Sequence, residues 1–398
     1  MTKIMILGTG FGQLPLINAC RALGLKTVGV DRDSNSLGVN LVDIFHCVDI
    51  KNTPELVKLA EAEAISGVVT MQSDVSVPSI GKINDVLGLT GVTEASALIC
   101  SNKNLTRDML TASGVIQPKY ELVRTLSCAK DAVDKMGFPC VIKAPDSSGS
   151  RGVTKLTSAG QLEKGFREAE LYSQSGIIIV EEFISGIEIG AQTFSENGEC
   201  IYCLLHNDTL SSNGFMVPVG HSYPFREPGV NSDKIKKEIT KALKAVGLDN
   251  GPANIDLILS SDGNPYIIEI GARCGATCLP ELTSIYTGQD WAKRIVNNCI
   301  GKEVPTDEFL GQPCAALILQ SPSDGIFDSF VFNFSEKEYK DFLVEIEVTV
   351  NPGDSVSMLR KGTDRIGKVV VVGQTAAEAE KIAKEIVSKI EIVVKQSE

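Results

Sequence analysis

Apolar runs alternate with amphipathic stretches along the first 93 residues of the chain. The apolar runs lie at 3–8, 26–31 and 67–71, and helical patterns lie at 13–23 and 54–64, with a further helix ending near 86. Strands that alternate with helices of this length predict a parallel, doubly wound sheet. We therefore expect an α/β unit at the start of the chain.

The pattern changes twice further on. A helix over 102–112, capped by Ser101, opens a section with strands at 120–123, 140–143 and 177–182 and helices at 127–136 and from Ser158. The next section has a long helix at 232–246, a hairpin turn at Asp262-Gly263 and a helix at 291–299. From about 312, short strands (314–319, 342–350, 368–372) precede a helix at 376–390, which predicts a small α+β tail. The expected segments are 1–93, 94–182, 183–311 and 312–398.

Charge and composition narrow the class of protein. The 398 residues carry 38 basic and 50 acidic side chains, a net charge of −12, which argues against a nucleic-acid partner. No apolar run approaches the ~18 residues of a membrane span, and the first residues lack the pattern of a cleaved secretion signal. The eleven cysteines are scattered, as expected for free thiols in a reducing compartment. We expect a cytoplasmic protein without a membrane partner.

A glycine-rich turn follows the first strand. Gly8-x-Gly10-x-Gly12, with Asp31 at the end of the second strand, is similar to a dinucleotide-binding fingerprint. Gln13 stands at the position after Gly12, so the third glycine of the fingerprint is missing, and we favour a structural turn. An NAD-dependent oxidoreductase is the alternative that this turn leaves open.

A lysine and a loop of small residues suggest phosphate binding. Lys143 ends an apolar strand, and the loop 145–152 follows it directly. A lysine can place a point charge on a phosphate, and backbone N–H groups of such a loop can enclose it. The carboxylates of Glu181, Glu182 and Glu188, at and after the end of a later strand, suit recognition of an adenine amine and ribose hydroxyls.

Two further carboxylates predict a magnesium site. Asp256 and Glu269 lie on the strands joined by the turn at Asp262-Gly263, which brings them together. Unpaired carboxylates would be costly in such apolar strands, and Mg²⁺ takes a few protein carboxylates together with substrate phosphates. Arg273, four residues after Glu269, could neutralise a transferring phosphoryl group.

The order and spacing of these segments resemble the ATP-grasp superfamily, of the carboxylate–amine ligase or biotin-carboxylase-like type. The resemblance covers essentially the whole chain. It implies a pre-ATP-grasp domain (1–93), a linker helix and lid subdomain (94–182), a catalytic core (183–311) and a C-terminal α+β subdomain (312–398).

The resemblance also implies roles for individual residues. Lys103 and Lys143 would bind ATP phosphates, and Arg273 would be catalytic. The flexible glycine loop would comprise Ser147, Ser148, Gly149, Ser150 and Gly152, and the adenosine contacts would be Glu181, Glu182, Phe183, Ile184 and Glu188. Asp256 and Glu269 would be the metal ligands.

One position departs from the family pattern. The usual run is Glu-x-Asn-x-Arg, but here Gly271 stands where the asparagine belongs. Asn254 lies two residues before Asp256, on the same face of its strand, so our hypothesis is that Asn254 or water takes the vacant metal position. Gly271 also prompts a further alternative, a degenerate protein that binds a nucleotide without turning it over.

The resemblance implies an ADP-forming ligase that uses ATP and Mg²⁺ to join a small carboxylate to an amine, amino acids among them, through an acylphosphate. A bicarbonate-using carboxylase of the purine-pathway type is the alternative within the fold. Candidate substrate contacts are His221, Cys274 and Gly275. Related proteins suggest a homodimer.

Overall fold

The computed structural model describes residues 2–147, 149, 151–211, 218–305, 310–360 and 362–396. The chain forms two compact units. The first comprises Met1–Cys203, Gly229–Ala276 and Asp290–Thr306, and the second comprises Leu204–Pro228, Thr277–Gln289 and Asp307–Glu398.

The first unit opens with a four-stranded parallel sheet. Its strands are β1 (Lys3–Leu7), β2 (Lys26–Asp31), β3 (Ile44–Cys47) and β4 (Gly67–Val69), in the order β3-β2-β1-β4, and its helices are α1 (Leu14–Ala22), α2 (Thr53–Glu63) and α3 (Val77–Leu87). The predicted parallel sheet is confirmed. The pattern of apolar residues missed β3 because this edge strand is only half-buried or exposed along its length.

The glycine turn after β1 is filled by the protein itself. The backbone N–H of Thr9 donates to Asp31 at 2.8 Å, and the side-chain amide of Gln13 donates to the Met71 carbonyl at 2.6 Å. An added Cβ at Gly8 would lie 3.1 Å from the Gln13 side chain. The carboxylate that a ribose would need is therefore engaged with the turn, which supports the structural interpretation of these glycines.

An antiparallel sheet follows two connecting helices, α4 (Glu94–Cys100) and α5 (Lys103–Ala112). Its strands are β5 (Tyr120–Val123), β6 (Cys140–Lys143), β7 (Val153–Leu156) and β8 (Ile178–Glu182), in the order β5-β8-β6-β7, with helices α6 (Leu126–Met136) and α7 (Leu162–Tyr172). The predicted cap of α5 is wrong: Asn102, not Ser101, accepts the backbone N–H of Asn104. The helix predicted from Ser158 begins at Leu162, after a short 3-10 turn.

Three long antiparallel strands complete the first unit. These are β9 (Gly186–Glu196), β12 (Gly251–Ser260) and β13 (Pro265–Gly271), accompanied by α8 (Ser232–Ala245) and α10 (Trp291–Cys299). The register of β12 and β13 places Asp256 opposite Glu269 and Asn254 opposite Gly271. The hairpin predicted from Asp262-Gly263 therefore brings the two carboxylates side by side.

The second unit begins within strand β10 (Glu199–Leu210). It contains β11 (Pro218–Tyr223), α9 (Leu279–Thr287), β14 (Cys314–Gln320), β15 (Gly325–Phe332), β16 (Leu343–Val348), β17 (Ser355–Val356), β18 (Arg365–Val372), α11 (Ala376–Ser388) and β19 (Ile390–Lys395). Strands pair in the orders β10-β11-β14-β18-β16 and β17-β15-β19. The helix predicted over 376–390 ends at Ser388, and β19 follows it.

The expected mixed α/β and α+β architecture is confirmed. Among the described residues, no helix combines the length and apolar character needed to cross a bilayer.

Candidate active site

Glu181, near the end of β8, lies between two buried cations. Its carboxylate contacts Lys143 Nζ at 2.6 Å and Arg107 Nε at 2.8 Å. Arg107 is fully buried and also donates to the carbonyl of Ile268 at 2.9 Å. This arrangement ties the antiparallel sheet, α5 and β13 together at one point.

Burial and charge shift the protonation of this cluster. Burial alone would raise the pKa of Glu181, but the charges of Lys143 and Arg107 outweigh it and lower that pKa to about 2. Burial lowers the pKa of Lys143 to about 8, because the attraction of Glu181 compensates for desolvation only in part. The two cations share one carboxylate, so an anionic phosphate would stabilise the protonated form of Lys143.

Lys103 connects the loop after β6 with β13. Its ammonium donates to the carbonyl of Ser147 at 2.7 Å and to Glu269 Oε1 at 2.9 Å. Its backbone N–H donates to the carbonyl of Pro145 at 2.9 Å, which anchors the start of α5 against the same loop. Arg107 lies one helical turn after Lys103, so both cations leave the same face of α5.

The two predicted metal ligands lie at neighbouring positions of one hairpin. Asp256 accepts a hydrogen bond from the Asn254 amide at 2.8 Å, and Glu269 contacts Lys103. The amide oxygen of Asn254 accepts from Gln192 Nε2 at 2.5 Å. Asn254 therefore presents its donor, not its oxygen, toward Asp256.

Arg273 follows β13 and pairs with a residue of the parallel domain. Its Nη2 lies 2.7 Å from Oδ2 of Asp74, and the Arg273 side chain is only 13% exposed. A Cβ added at Gly271 would lie 3.2 Å from both the guanidinium carbon of Arg273 and Oδ1 of Asp74. The glycine that departs from the family pattern leaves the space in which this ion pair forms.

Gln192 on β9 links strand β12 to the segment after Arg273. It is fully buried, and its Oε1 accepts from the backbone N–H of Gly275 at 2.8 Å and from Cys274 Sγ at 3.5 Å. Cys274 is itself fully buried. Both predicted substrate contacts are therefore engaged with Gln192.

The predicted loop and hinge lie beside these groups in the chain. Gly149 and Gly152 both have positive φ values (+66° and +69°), and Ser148 and Ser150 lie outside the described residues. In the hinge between β8 and β9, the Lys155 ammonium lies 3.6 Å from the centre of the Phe183 ring, and Ile184 is buried. Glu182 accepts the Lys119 backbone N–H at 3.4 Å, and Glu188 on β9 lies opposite Ile258 of β12.

Sequence reasoning missed three polar residues of this site. The signal for Arg107 is its position one helical turn after Lys103. The signal for Asp74 is its position after the carboxyl end of parallel strand β4, where ligands commonly bind. Gln192 lies in an apolar strand and had no comparable signal. The remaining candidate, His221, belongs to the second unit.

The comparisons with known proteins agree with this geometry. Residues 136–281 match the ATP-grasp domain family, and residues 338–395 match the L-amino acid ligase C-terminal domain 2. The predicted ATP-grasp resemblance is confirmed.

Proteins that align with this chain over nearly their whole length are also similar to it. The formate-dependent phosphoribosylglycinamide formyltransferase of Methanocaldococcus jannaschii is 24% identical, with 97% of this chain and 95% of that protein covered. The crystal structure of phosphoribosylglycinamide synthetase from Anaerococcus prevotii is 28% identical with a TM-score of 0.81, covering 99% and 100% of the chains. The L-amino acid ligase of Bacillus licheniformis shares the fold, with a TM-score of 0.84 at 21% identity and coverage of 100% and 99%.

The chain carries an ATP-grasp domain and is an ATP-dependent ligase of the ATP-grasp class.

Proposed function

We propose that the chain is a Mg²⁺-dependent carboxylate–amine ligase that activates a small carboxylate as an acylphosphate and then joins it to an amine. The observation that carries this proposal is the pairing of Asp256 with Glu269 across one hairpin, with Lys103 on Glu269. Phosphoryl transfer from ATP needs this combination of metal carboxylates and fixed cations, and it needs no protein nucleophile.

The donor set of the hairpin fits Mg²⁺. Asp256 and Glu269 supply the hard oxygen ligands that this ion prefers, and it keeps its other positions for water and phosphate. In the part of the site just described, four cations face four carboxylates. The cations are Lys103, Arg107, Lys143 and Arg273, and the carboxylates are Asp74, Glu181, Asp256 and Glu269. A nucleotide polyphosphate would therefore bring negative charge that added metal cations must balance, and bound Mg²⁺ would supply that neutralisation.

The proposed reaction has two steps. An oxygen of the substrate carboxylate attacks the γ-phosphorus, the bond to the β,γ-bridging oxygen breaks, and ADP leaves. The amine nitrogen then attacks the acyl carbon, and phosphate leaves with one of the original carboxylate oxygens. The amine loses its proton, and an amide remains.

The chain's own groups position and neutralise these species. Lys143 and Lys103 hold phosphate oxygens, and the backbone N–H groups of Gly149 and Gly152 cover them. Glu181 fixes Lys143, because its carboxylate is held from the other side by Arg107. Arg273, oriented by Asp74, neutralises charge on the transferring phosphoryl group and the acylphosphate.

Amino acids are the proposed substrate class. The match of residues 338–395 to a domain of L-amino acid ligases supports this choice. The formate-dependent relative supports a second candidate, in which formate is the carboxylate and the amine belongs to a phosphorylated sugar compound. Bicarbonate remains the third carboxylate to test.

The experiment is an ADP-release screen with Mg²⁺-ATP and pairs of L-amino acids, in parallel with arms containing formate or bicarbonate plus an amine. We expect ADP only when carboxylate and amine are both present. Lys143→Ala should abolish release, whereas Lys130→Ala, on α6, should not. No release from any pair, with ATP binding intact, would contradict the proposal.

A further inference from the structure

Two histidines and one aspartate of the second unit face one another across two strands. His206 and Asp208 alternate along β10, so both side chains leave the same face of the sheet. His221 on β11 lies directly opposite Asp208 in the antiparallel register. The three side chains therefore converge from backbone positions that the hydrogen-bond ladder fixes.

One oxygen of Asp208 serves both imidazoles. Oδ1 lies 2.8 Å from Nδ1 of His206 and 2.6 Å from Nδ1 of His221. The side chains are 1%, 5% and 12% exposed for His206, His221 and Asp208. Both Nδ1 atoms face the carboxylate of Asp208, so three potential ligand atoms converge at one buried point.

We propose that His206, Asp208 and His221 form a binding site for a divalent transition-metal ion such as Zn²⁺, distinct from the Mg²⁺ site of the first unit. Ligand atoms of the three residues lie within 4.8 Å of one another. Imidazole ligands favour Zn²⁺ and its neighbours, whereas Mg²⁺ favours oxygen ligands. Three protein ligands leave a coordination position for water or for an anionic group.

The surroundings make the site rigid. Tyr223, two residues after His221, stacks on Tyr286 with ring centres 5.0 Å apart and contacts the hydroxyl of Thr283 at 3.1 Å. The His206 ring packs edge-on against Tyr223, at 5.6 Å between centres. Ligand atoms bound tetrahedrally to Zn²⁺ lie roughly 3.3 Å apart, so the ion would move each Nδ1 away from Oδ1 of Asp208 by roughly 0.5 to 0.7 Å.

The test uses Co²⁺ as a spectroscopic substitute for Zn²⁺. We expect one equivalent of Co²⁺ to give visible d–d absorption with the wild-type chain, and Zn²⁺ to abolish it. Asp208→Asn and His206→Gln should each weaken binding by more than about 100-fold, since even loss of an outer-shell partner costs 10–100-fold. Excess Mg²⁺ should not compete.

The chain offers a matched control, because it has only three histidines. The third, His46, lies in the first unit against Glu63, so His46→Gln should bind Co²⁺ as the wild type does. Cysteine-bound Co²⁺ would give thiolate charge-transfer bands and would persist in Asp208→Asn. A wild-type chain that binds no Co²⁺, or binds it as Asp208→Asn does, would overturn the proposal. Circular dichroism of each variant verifies that it has folded.

Discussion

Arg273 and Asp74, 199 residues apart in the sequence, form an ion pair with Nη2 and Oδ2 at 2.7 Å. Asp74 follows β4 of the parallel domain, and Arg273 follows β13 of the hairpin that carries Glu269. The opposite charge, together with the hydrogen bond, lowers the pKa of Asp74 despite its burial. The parallel domain therefore supplies a residue that orients the proposed catalytic arginine.

Asp74→Asn should slow ligation without weakening nucleotide binding. The substitution keeps the shape and removes the charge that orients Arg273. Loss of one charge-assisted hydrogen bond of about 1.5–3 kcal/mol predicts a fall in kcat of about 10- to 100-fold. Steady-state kinetics and calorimetric binding of ADP measure the two effects. Asp49→Asn, at an exposed site, is the control, and an unchanged kcat in Asp74→Asn would show that the pair has no role in turnover.

Gly271→Asn should impair the enzyme, although it restores the family residue. The new Cβ would lie 3.2 Å from both partners of the Arg273–Asp74 pair, closer than most Cβ contacts. We expect at least about a tenfold loss of kcat from a misplaced arginine. Gly263→Asn in the same hairpin is the control, since no atom of the described residues lies within 4 Å of its added Cβ and asparagine tolerates a positive φ. Higher activity in Gly271→Asn would contradict this explanation of the glycine.

Nucleotide binding should take up a proton at high pH. Lys143 has a pKa of about 8 in the free protein, so it loses its proton as the pH rises through 8. A bound phosphate favours the protonated form, and affinity should fall by up to about tenfold per pH unit above that value. Calorimetry in buffers of different ionisation enthalpy measures the proton directly. Lys143→Arg should remove the dependence because arginine stays charged, and an unchanged slope in this variant would assign the proton to another group.

Arg107→Leu should destabilise the first unit. The substitution removes one of the two cations that contact the buried carboxylate of Glu181, and breaking a buried ion pair costs about 3–5 kcal/mol. Urea denaturation measures the change in the free energy of unfolding. Arg167→Leu is the matched control, because its pair with Glu170 is exposed on both sides and contributes about 1 kcal/mol or less. Equal effects of the two substitutions would contradict a structural role for Arg107.

Elements with strong local signals were predicted well. Strands at Lys26–Asp31, Tyr120–Val123 and Cys140–Lys143 and the helix Trp291–Cys299 lie at the predicted residues. Strand β19 was missed, because nothing local separates it from the end of α11 and its partner, β15, lies some 60 residues earlier in the chain. Long-range pairing, rather than propensity, decides such elements.

The candidate site shows the same contrast between features predicted by local patterns and features set by long-range contacts. The turn at Asp262-Gly263 was enough to predict that Asp256 and Glu269 lie on paired strands, but it did not predict their register. A shift between Asp256 and Leu257 moves the pairing by one residue and places Asp256 opposite Glu269. The ion pairs of Asp74 with Arg273 and of Arg107 with Glu181, and the contact of Gln192 with Gly275, join residues 74 or more positions apart, so local patterns did not predict these contacts. The sequence likewise gave no sign that Asn254 would turn its amide oxygen toward Gln192.

The transfer of a carboxylate oxygen to phosphate tests the central claim most directly. The substrate carboxylate is labelled with ¹⁸O, ligation is run with unlabelled ATP in unlabelled water, and the released phosphate is analysed by mass spectrometry. The acylphosphate route predicts one ¹⁸O in each phosphate formed, in step with ADP and amide product. Phosphate without the label, alongside normal amide formation, would contradict it.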